Sequence, residues 1–179
     1  MRKESTFAYV LRLTVTLLLI TACVAAALAA VNMITKDRIA EAKQQKTLDA
    51  MAQVLPGVEG LAPMELTGET GIVSSVYASG DSYAVQVEPA GFNGAVTVMV
   101  GITAGEVQGI SVISHAETPG LGAVAADAGP KGEAFRSQFT GGETFVVGGN
   151  VDAISGATIT SKAVTSGVNA ALEFVENLG

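Results

Sequence analysis

The sequence predicts an α+β fold: a long N-terminal helix that crosses a membrane and continues as a stalk, then a mainly antiparallel β-sheet domain closed by a C-terminal helix. Three observations carry this. Residues 9–31 form a nearly unbroken apolar run, YVLRLTVTLLLITACVAAALAAV. From Gly71 onward, short runs rich in Val, Ile and Tyr alternate with glycine-bearing turns. Near the end, Ala163, Val164, Gly167, Val168, Ala171, Leu172 and Val175 recur at helical spacing and make one apolar stripe.

The N-terminal run matches the roughly 20 residues that a bilayer-spanning helix needs. Arg12 sits near its start, where a long side chain can snorkel to the headgroups. Leu and Ala favour a helix, and no Pro or Gly interrupts them. Three readings fit the run. It is a permanent anchor with a cytoplasmic N-terminus. Ala27-Leu28-Ala29 has the A-x-A form of a cleaved signal peptide. Ile20-Thr21-Ala22-Cys23 has the look of a lipobox with Cys23 as the lipidated residue, although the residues that follow stay apolar to Val31. The anchor reading gives three parts: 1–34 as N-terminus and transmembrane anchor, 35–56 as helical stalk, 57–179 as the β-rich domain. The basic residues do not decide orientation. Arg2, Lys3 and Arg12 open the span, while Lys36, Arg38, Lys43 and Lys46 follow it.

The stalk is helical to about Val54, since no breaker appears before Pro56-Gly57. Residues 57–71, with Pro56 and Pro63 nearby, read as a loop. Strands are predicted at Ile72–Tyr77, Tyr83–Val87, Val96–Ile102 and Val107–Ile113, separated by turn signals at Gly80-Asp81, Gly91 to Gly94 and Ala104-Gly105. Runs so close together, with no helix between them, pair antiparallel. An irregular section from Ser114 to Gly142 holds a short helix around Gly132 to Gln138, and a last strand is predicted at Thr144–Val147. Thr160 and Ser161 stand where the N-cap of the final helix is expected.

Composition narrows the chemistry. Of 179 residues, 17 are acidic and 10 basic, and no basic stripe is interleaved with aromatics, so nucleic acid is not an expected partner. One cysteine and one histidine, Cys23 and His115, cannot form an internal disulfide, an iron–sulfur cluster or a cysteine-built zinc site. Redox work would therefore need a borrowed cofactor. The 21 glycines and the absence of Trp point to a loop-rich domain of small side chains, without a large aromatic pocket.

Before the last helix stands Asp152-Ala153-Ile154-Ser155-Gly156-Ala157-Thr158-Ile159-Thr160-Ser161. Small hydroxyl residues and a glycine at a helix start can bind an anion, because free backbone N–H groups and the positive end of the dipole favour phosphate. Lys162 could add a cation. A plain capped helix start fits the same residues. The order Asp-x-x-Ser-Gly-Ala-Thr, however, resembles the flavinylation motif of the FMN-binding domain family. That family includes the G subunit of Rnf-type electron transport complexes and a flavinylated relative in the Na+-translocating NADH:quinone reductase. The resemblance implies that the hydroxyl of Thr158 is esterified to the FMN phosphate by a flavin transferase using FAD, with Asp152, Ser155, Gly156, Ala157 and Thr160 around it. Thr158 is then an acceptor, and no residue of this chain is catalytic or binds a metal.

Ser114-His115-Ala116-Glu117-Thr118-Pro119-Gly120-Leu121-Gly122 is similar to a second stretch of that family. The resemblance places Glu117, Thr118 and Leu121 beside the isoalloxazine; by itself, a Pro-Gly turn flanked by glycines is a tight surface turn. His115 reads as a loop residue with an ordinary hydrogen bond and no proton-transfer role. The resemblance covers essentially the whole chain. It implies a covalently flavinylated, single-pass subunit with its domain outside the cytoplasmic membrane. That subunit relays electrons in a ferredoxin:NAD+ oxidoreductase that moves Na+ or H+. Its partners would be the other membrane and iron–sulfur subunits, the flavin transferase and the lipid bilayer. A nicotinamide site is not expected here, since no strand–GxGxxG–helix unit is present. A stand-alone flavinylated carrier and a non-redox anchored binding domain are the alternatives.

Overall fold

A computed structural model describes residues 6–66, 70–141 and 144–178. Arg2 and Lys3, and part of the predicted loop after residue 57, lie outside the described residues. The chain divides into two units, residues 1–45 and 46–179.

The first unit is helical from Thr6 onward. Helix α1 runs Thr6–Val54, and its most apolar 18-residue stretch has a mean hydropathy of 2.4 with none of it buried. It is long and apolar enough to cross a membrane. Three hydroxyls in its apolar stretch close on the helix's own backbone: those of Thr14, Thr16 and Thr21 donate to the carbonyls of Val10, Arg12 and Leu17 at 3.0, 2.7 and 3.0 Å. No hydroxyl among these three is then left unpaired in an apolar surround.

The second unit is built on a five-stranded antiparallel sheet in sequential order, β1 (Ala62–Met64), β2 (Val73–Ser79), β3 (Ser82–Val87), β4 (Thr97–Thr103) and β5 (Glu106–Ser114). The four longer strands lie where alternation and turn signals predict them. The fifth, β1, falls inside the segment that reads as a loop. It pairs with β2 through Ala62↔Ala78 and Met64↔Val76, and its Pro63 is tolerated because β1 is an edge. Helix α2 (Pro130–Arg136) matches the predicted short helix, and a five-residue 3-10 helix precedes it at Gly122–Ala126.

The strand predicted at Thr144–Val147 does not form. Side-chain amides take the place of a strand partner. Asn150 accepts from the Val146 N–H at 2.7 Å and donates to the Thr144 carbonyl at 3.1 Å. Asn169 binds the Phe145 N–H and carbonyl at 2.9 and 2.8 Å. Only a bridge between Val147 and Val151 is left.

Both faces of the sheet are covered, which explains why β4 is buried along nearly its whole length. Val85, Val87, Val98, Val100 and Ile102 pack under the C-terminal helix α3 (Thr158–Glu176) through Val164, Val168, Ala171, Leu172 and Val175. On the other face, Ala84 and Met99 meet Ala50, Met51, Val54 and Leu55, which are the last turns of α1 and the residue after it. Gly101 is what permits the second contact, since a Cβ there would lie 2.5 Å from the Val54 carbonyl oxygen.

Gly101→Ala must therefore push the end of α1 off β4, and overpacking of this kind costs about 1–3 kcal/mol. Thermal unfolding of the detergent-solubilised protein should show a lowered midpoint. Gly109→Ala, on the neighbouring strand with nothing within 4 Å of its Cβ position, should leave the midpoint unchanged.

Candidate functional site

Helix α3 begins at Thr158, three or four residues earlier than an N-cap at Thr160 or Ser161 predicts. Its N-cap is Ala157, which offers no side-chain hydrogen bond. Thr160 and Ser161 lie inside the first turn, and both hydroxyls are committed elsewhere. Ser161 is fully buried, donates to the Ala157 carbonyl at 3.0 Å and accepts from the Ile154 N–H at 3.0 Å. It thus staples the turn before the helix to the helix itself. Ala is among the poorest N-cap residues. The first N–H groups of a helix have no intrahelical partner, so this start is left open to an acceptor.

Two tight turns face each other at this point. In Thr118-Pro119-Gly120-Leu121 the Leu121 N–H donates to the Thr118 carbonyl at 3.1 Å with Gly120 at φ +76°. In Ile154-Ser155-Gly156-Ala157 the Ala157 N–H donates to the Ile154 carbonyl at 2.9 Å with Gly156 at φ +77°. Glycine at the third position is what such turns require. Leu121 lies directly on Gly156, where a Cβ would come within 3.0 Å of its Cδ2.

Between these turns and α3 lies an open cavity of about 320 Å³. Of the residues singled out in the sequence, Glu117, Thr118, Leu121, Gly156, Ala157, Thr158 and Thr160 line it. Thr158 is exposed and stands at the cavity, at the start of the helix. Asp152 and Ser155 lie elsewhere. They line a second cavity, of about 500 Å³, together with Lys131 and Phe135 of α2. The Asp152 backbone is strapped there by Gln138, which accepts its N–H at 2.7 Å and donates to its carbonyl at 3.3 Å. Lys162 is exposed and does not line the first cavity. Phe92, Gly122 and Ile159 complete the lining, and sequence reasoning does not single them out. Phe92 has one local signal, an aromatic residue set inside the glycine turn 91–94.

Glu117 ties the site together. Its Oε1 accepts the backbone N–H groups of Phe92 at 2.8 Å and Asn93 at 3.0 Å, and its Oε2 accepts the Thr160 hydroxyl at 2.5 Å. The side chain is 6% exposed. Two glycines make room for it. A Cβ at Gly91 would lie 2.6 Å from Oε1, and one at Gly122 would overlap Oε2. Asn93 also donates to the Thr118 hydroxyl at 3.1 Å, and His115 Nδ1 accepts the Glu117 N–H at 3.2 Å. Burial raises the Glu117 carboxyl pKa. The bonds from Thr160, Asn93 and Phe92, with the nearby His115, outweigh burial and hold it below the ordinary carboxylate value.

The apolar walls, the exposed hydroxyl residue and the open helix start suit a flat ring joined to a phosphate. The FMN-binding domain family matches residues 91–173, starting at the turn that carries Phe92, and the RnfG N-terminal region matches residues 7–54. The chain is 35% identical over 198 aligned positions to the G subunit of the Na+-translocating ferredoxin:NAD+ oxidoreductase complex of Acetobacterium woodii, with 94% of this chain and 93% of that protein covered. It is 32% identical over 177 positions to the G subunit of the ion-translocating oxidoreductase complex of Methanosarcina acetivorans, covering 92% and 93%. The chain belongs to the RnfG family. As in that family, one N-terminal apolar helix anchors the protein in the membrane as a single pass, and an FMN-binding domain follows.

The depressed Glu117 pKa fixes the sign of a pH effect in this RnfG domain. A carboxyl whose folded pKa lies below its unfolded one contributes stability at pH values above the unfolded pKa. That contribution is lost as pH falls through the folded pKa. Glu117→Gln removes it at neutral pH and also mispairs a buried acceptor, at a cost of about 1–3 kcal/mol. Unfolding midpoints measured against pH should show wild type above Glu117→Gln from neutral pH down to the usual carboxylate range. The gap should close below that range.

Proposed function

We propose that this chain is the covalently flavinylated electron-carrier subunit of an ion-translocating ferredoxin:NAD+ oxidoreductase, with FMN esterified through its phosphate to Thr158. One observation carries the assignment of the residue. Of the hydroxyl residues at the start of α3, only Thr158 is both exposed and at the cavity with its hydroxyl uncommitted to a buried partner. The Thr160 hydroxyl donates to a buried carboxylate, and the Ser161 hydroxyl is buried between two backbone partners. Ser155 is exposed but lines the other cavity.

Charge supports a covalent bond over a binding pocket. Among the described residues that line the cavity there is no Lys, Arg or His, and the one ionisable group is an acid, Glu117. A phosphate held here by affinity alone would have only the uncapped helix start to bind it. An ester to Thr158 supplies what the missing cation does not. In the attachment step the Thr158 oxygen bonds to the FMN phosphorus of FAD, the pyrophosphate bond breaks, AMP leaves and the hydroxyl proton is lost. A separate flavin transferase catalyses it, so Thr158 is the acceptor only.

Bound here, FMN supplies one- and two-electron redox chemistry. The chain's own residues position the ring and exclude water from part of it: Leu121, Phe92 and Ile159 offer apolar surface, while Thr118 offers a polar edge. The Acetobacterium woodii relative belongs to a complex named for ferredoxin and NAD+. In this reading the chain passes electrons between the membrane and iron–sulfur subunits of such a complex and is not catalytic alone. Its C-terminal domain lies outside the cytoplasmic membrane.

The intact mass of purified protein should exceed that of the chain by one FMN less one water, and peptide mass spectrometry should place the addition on Thr158. Thr158→Ala should give colourless protein with an unfolding midpoint close to wild type, because an exposed substitution of this kind costs within about 0.5 kcal/mol. Thr158→Ser should retain part of the flavin. Flavin on Ser155 or Thr160 with Thr158 unmodified would refute the assignment. Sidedness has its own test: protease added to spheroplasts should digest the domain, and protection there with digestion only in inverted vesicles would reverse the orientation.

A further inference from the structure

Among the described residues outside α1, five large apolar side chains are exposed: Phe92 at 66%, Val146 at 54%, Ile159 at 53%, Leu121 at 44% and Leu178 at 43%. Three of these five, Phe92, Ile159 and Leu121, line the same cavity. Single exposed hydrophobes are ordinary, but a cluster around one opening marks an apolar ligand surface. Phe92 differs from the other two. It is the one aromatic in the lining, whereas Phe135, Phe139 and Phe145 are buried in the core.

The backbone under Phe92 is held as firmly as its side chain is exposed. The Gly91 N–H donates to the Gly94 carbonyl at 2.8 Å and closes the turn. The Phe92 and Asn93 N–H groups both end on one carboxylate oxygen of Glu117, and the Asn93 side chain reaches Thr118. The other oxygen of that carboxylate holds Thr160, in the same helical turn as Thr158. One buried group thus sets the distance between an exposed aromatic ring and the proposed attachment point. A turn that presents an aromatic side chain from a locked backbone is built for stacking, because contact then requires little further ordering.

We propose that Phe92 is the residue that stacks on the flavin ring, and that Glu117 is a positioning residue that acts through it. This rests on the Thr158 reading. Offset packing of the Phe92 ring face on the isoalloxazine would suit the quadrupoles of the two ring systems. Leu121 and Ile159 supply the remaining apolar contact. Glu117 commits both oxygens to protein donors, so its effect on the ring comes mainly from where it holds Phe92.

The test uses full-length protein, flavinylated by co-expressed transferase and purified in detergent, with bound flavin first counted by mass. The readouts are visible circular dichroism, which is sensitive to a stacked aromatic, and flavin fluorescence, which a stacked phenol quenches by electron transfer and a phenyl ring does not. Phe92→Ala and Phe92→Leu should keep full flavin and lose the wild-type dichroism, and Phe92→Tyr should keep that dichroism and lower fluorescence several-fold. Leu separates apolar cover from stacking. Glu117→Gln should change the dichroism on its own, add nothing in the Phe92→Ala background and restore emission in the Phe92→Tyr background. A purely structural Glu117 would lower the unfolding midpoint and leave the dichroism in its wild-type form. Full flavin with wild-type dichroism in Phe92→Ala, or undiminished emission in Phe92→Tyr, would overturn the inference alone. Wild-type protein without flavin would overturn the Thr158 reading and this inference with it.

Discussion

The Glu117 carboxylate accepts hydrogen bonds from segments far apart in sequence: the backbone at Phe92 and Asn93, and the Thr160 hydroxyl in α3. A buried charge is costly unless donors replace the water it loses. Here two N–H groups and one hydroxyl do so, and they keep the acid ionised despite burial. The arrangement also explains two glycines. Gly91 and Gly122 each pass so close to the carboxylate that a methyl group would overlap it. The turn before β4, the loop after β5 and the start of α3 are thereby fixed as one unit around the cavity.

That unit depends on where α3 lies. The helix reaches the sheet closely at Gly167, where a Cβ would come within 3.0 Å of both Pro89 Cγ and Val87 Cγ2. Pro89 is two residues before Gly91, so close approach at Gly167 brings the 91–94 turn and the first turn of α3 to the same place. The apolar stripe from Val164 to Val175 supplies the burial that holds the helix down. Packing in the middle of α3 thus decides which hydroxyl stands at the cavity, between one and two turns N-terminal to that stripe.

What is legible in the sequence follows from local periodicity and from motif order. The β2–β5 strands are rich in Val, Ile and Tyr with partial alternation, under a helix stripe of matching apolarity, and their turns carry glycines at predictable spacing. The anchor needs only length and composition. The start of α3 escapes a local reading because its hydroxyls look like caps, whereas tertiary partners claim them: Glu117 for Thr160, Ile154 for Ser161. The 144–147 run has strand composition but loses its strand partner to Asn150 and Asn169, the latter 24 residues away from Phe145. Pro63 hides β1, because proline argues against a strand everywhere except at an edge. Phe92 is hidden for a related reason. Glycines on both sides mark a turn, and nothing local shows that Glu117, 25 residues on, holds that turn beside the motif. The motif also reads as continuous, yet it divides in space, with Asp152 and Ser155 on one cavity and Gly156 to Thr158 on the other.

The size of the cavity bears on why a covalent cofactor suits this fold. At about 320 Å³ it lies at the lower end of small-molecule clefts, which run from about 300 to 1,000 Å³. It is open, and its described lining offers no cation for a phosphate. A site of that kind would hold a free nucleotide weakly. On the proposed reading, the ester at Thr158 changes the problem. A ring on a short tether is present at an effective concentration on the order of mM, so weak contacts suffice to seat it. The domain is then free to leave one edge of the ring exposed for electron transfer to a neighbour, which a deep affinity pocket would bury. The remaining task is orientation, and a single aromatic side chain on a locked turn can perform it. The buried carboxylate beneath that turn therefore affects the cofactor mainly through geometry, because its charge is already engaged by the protein's own donors.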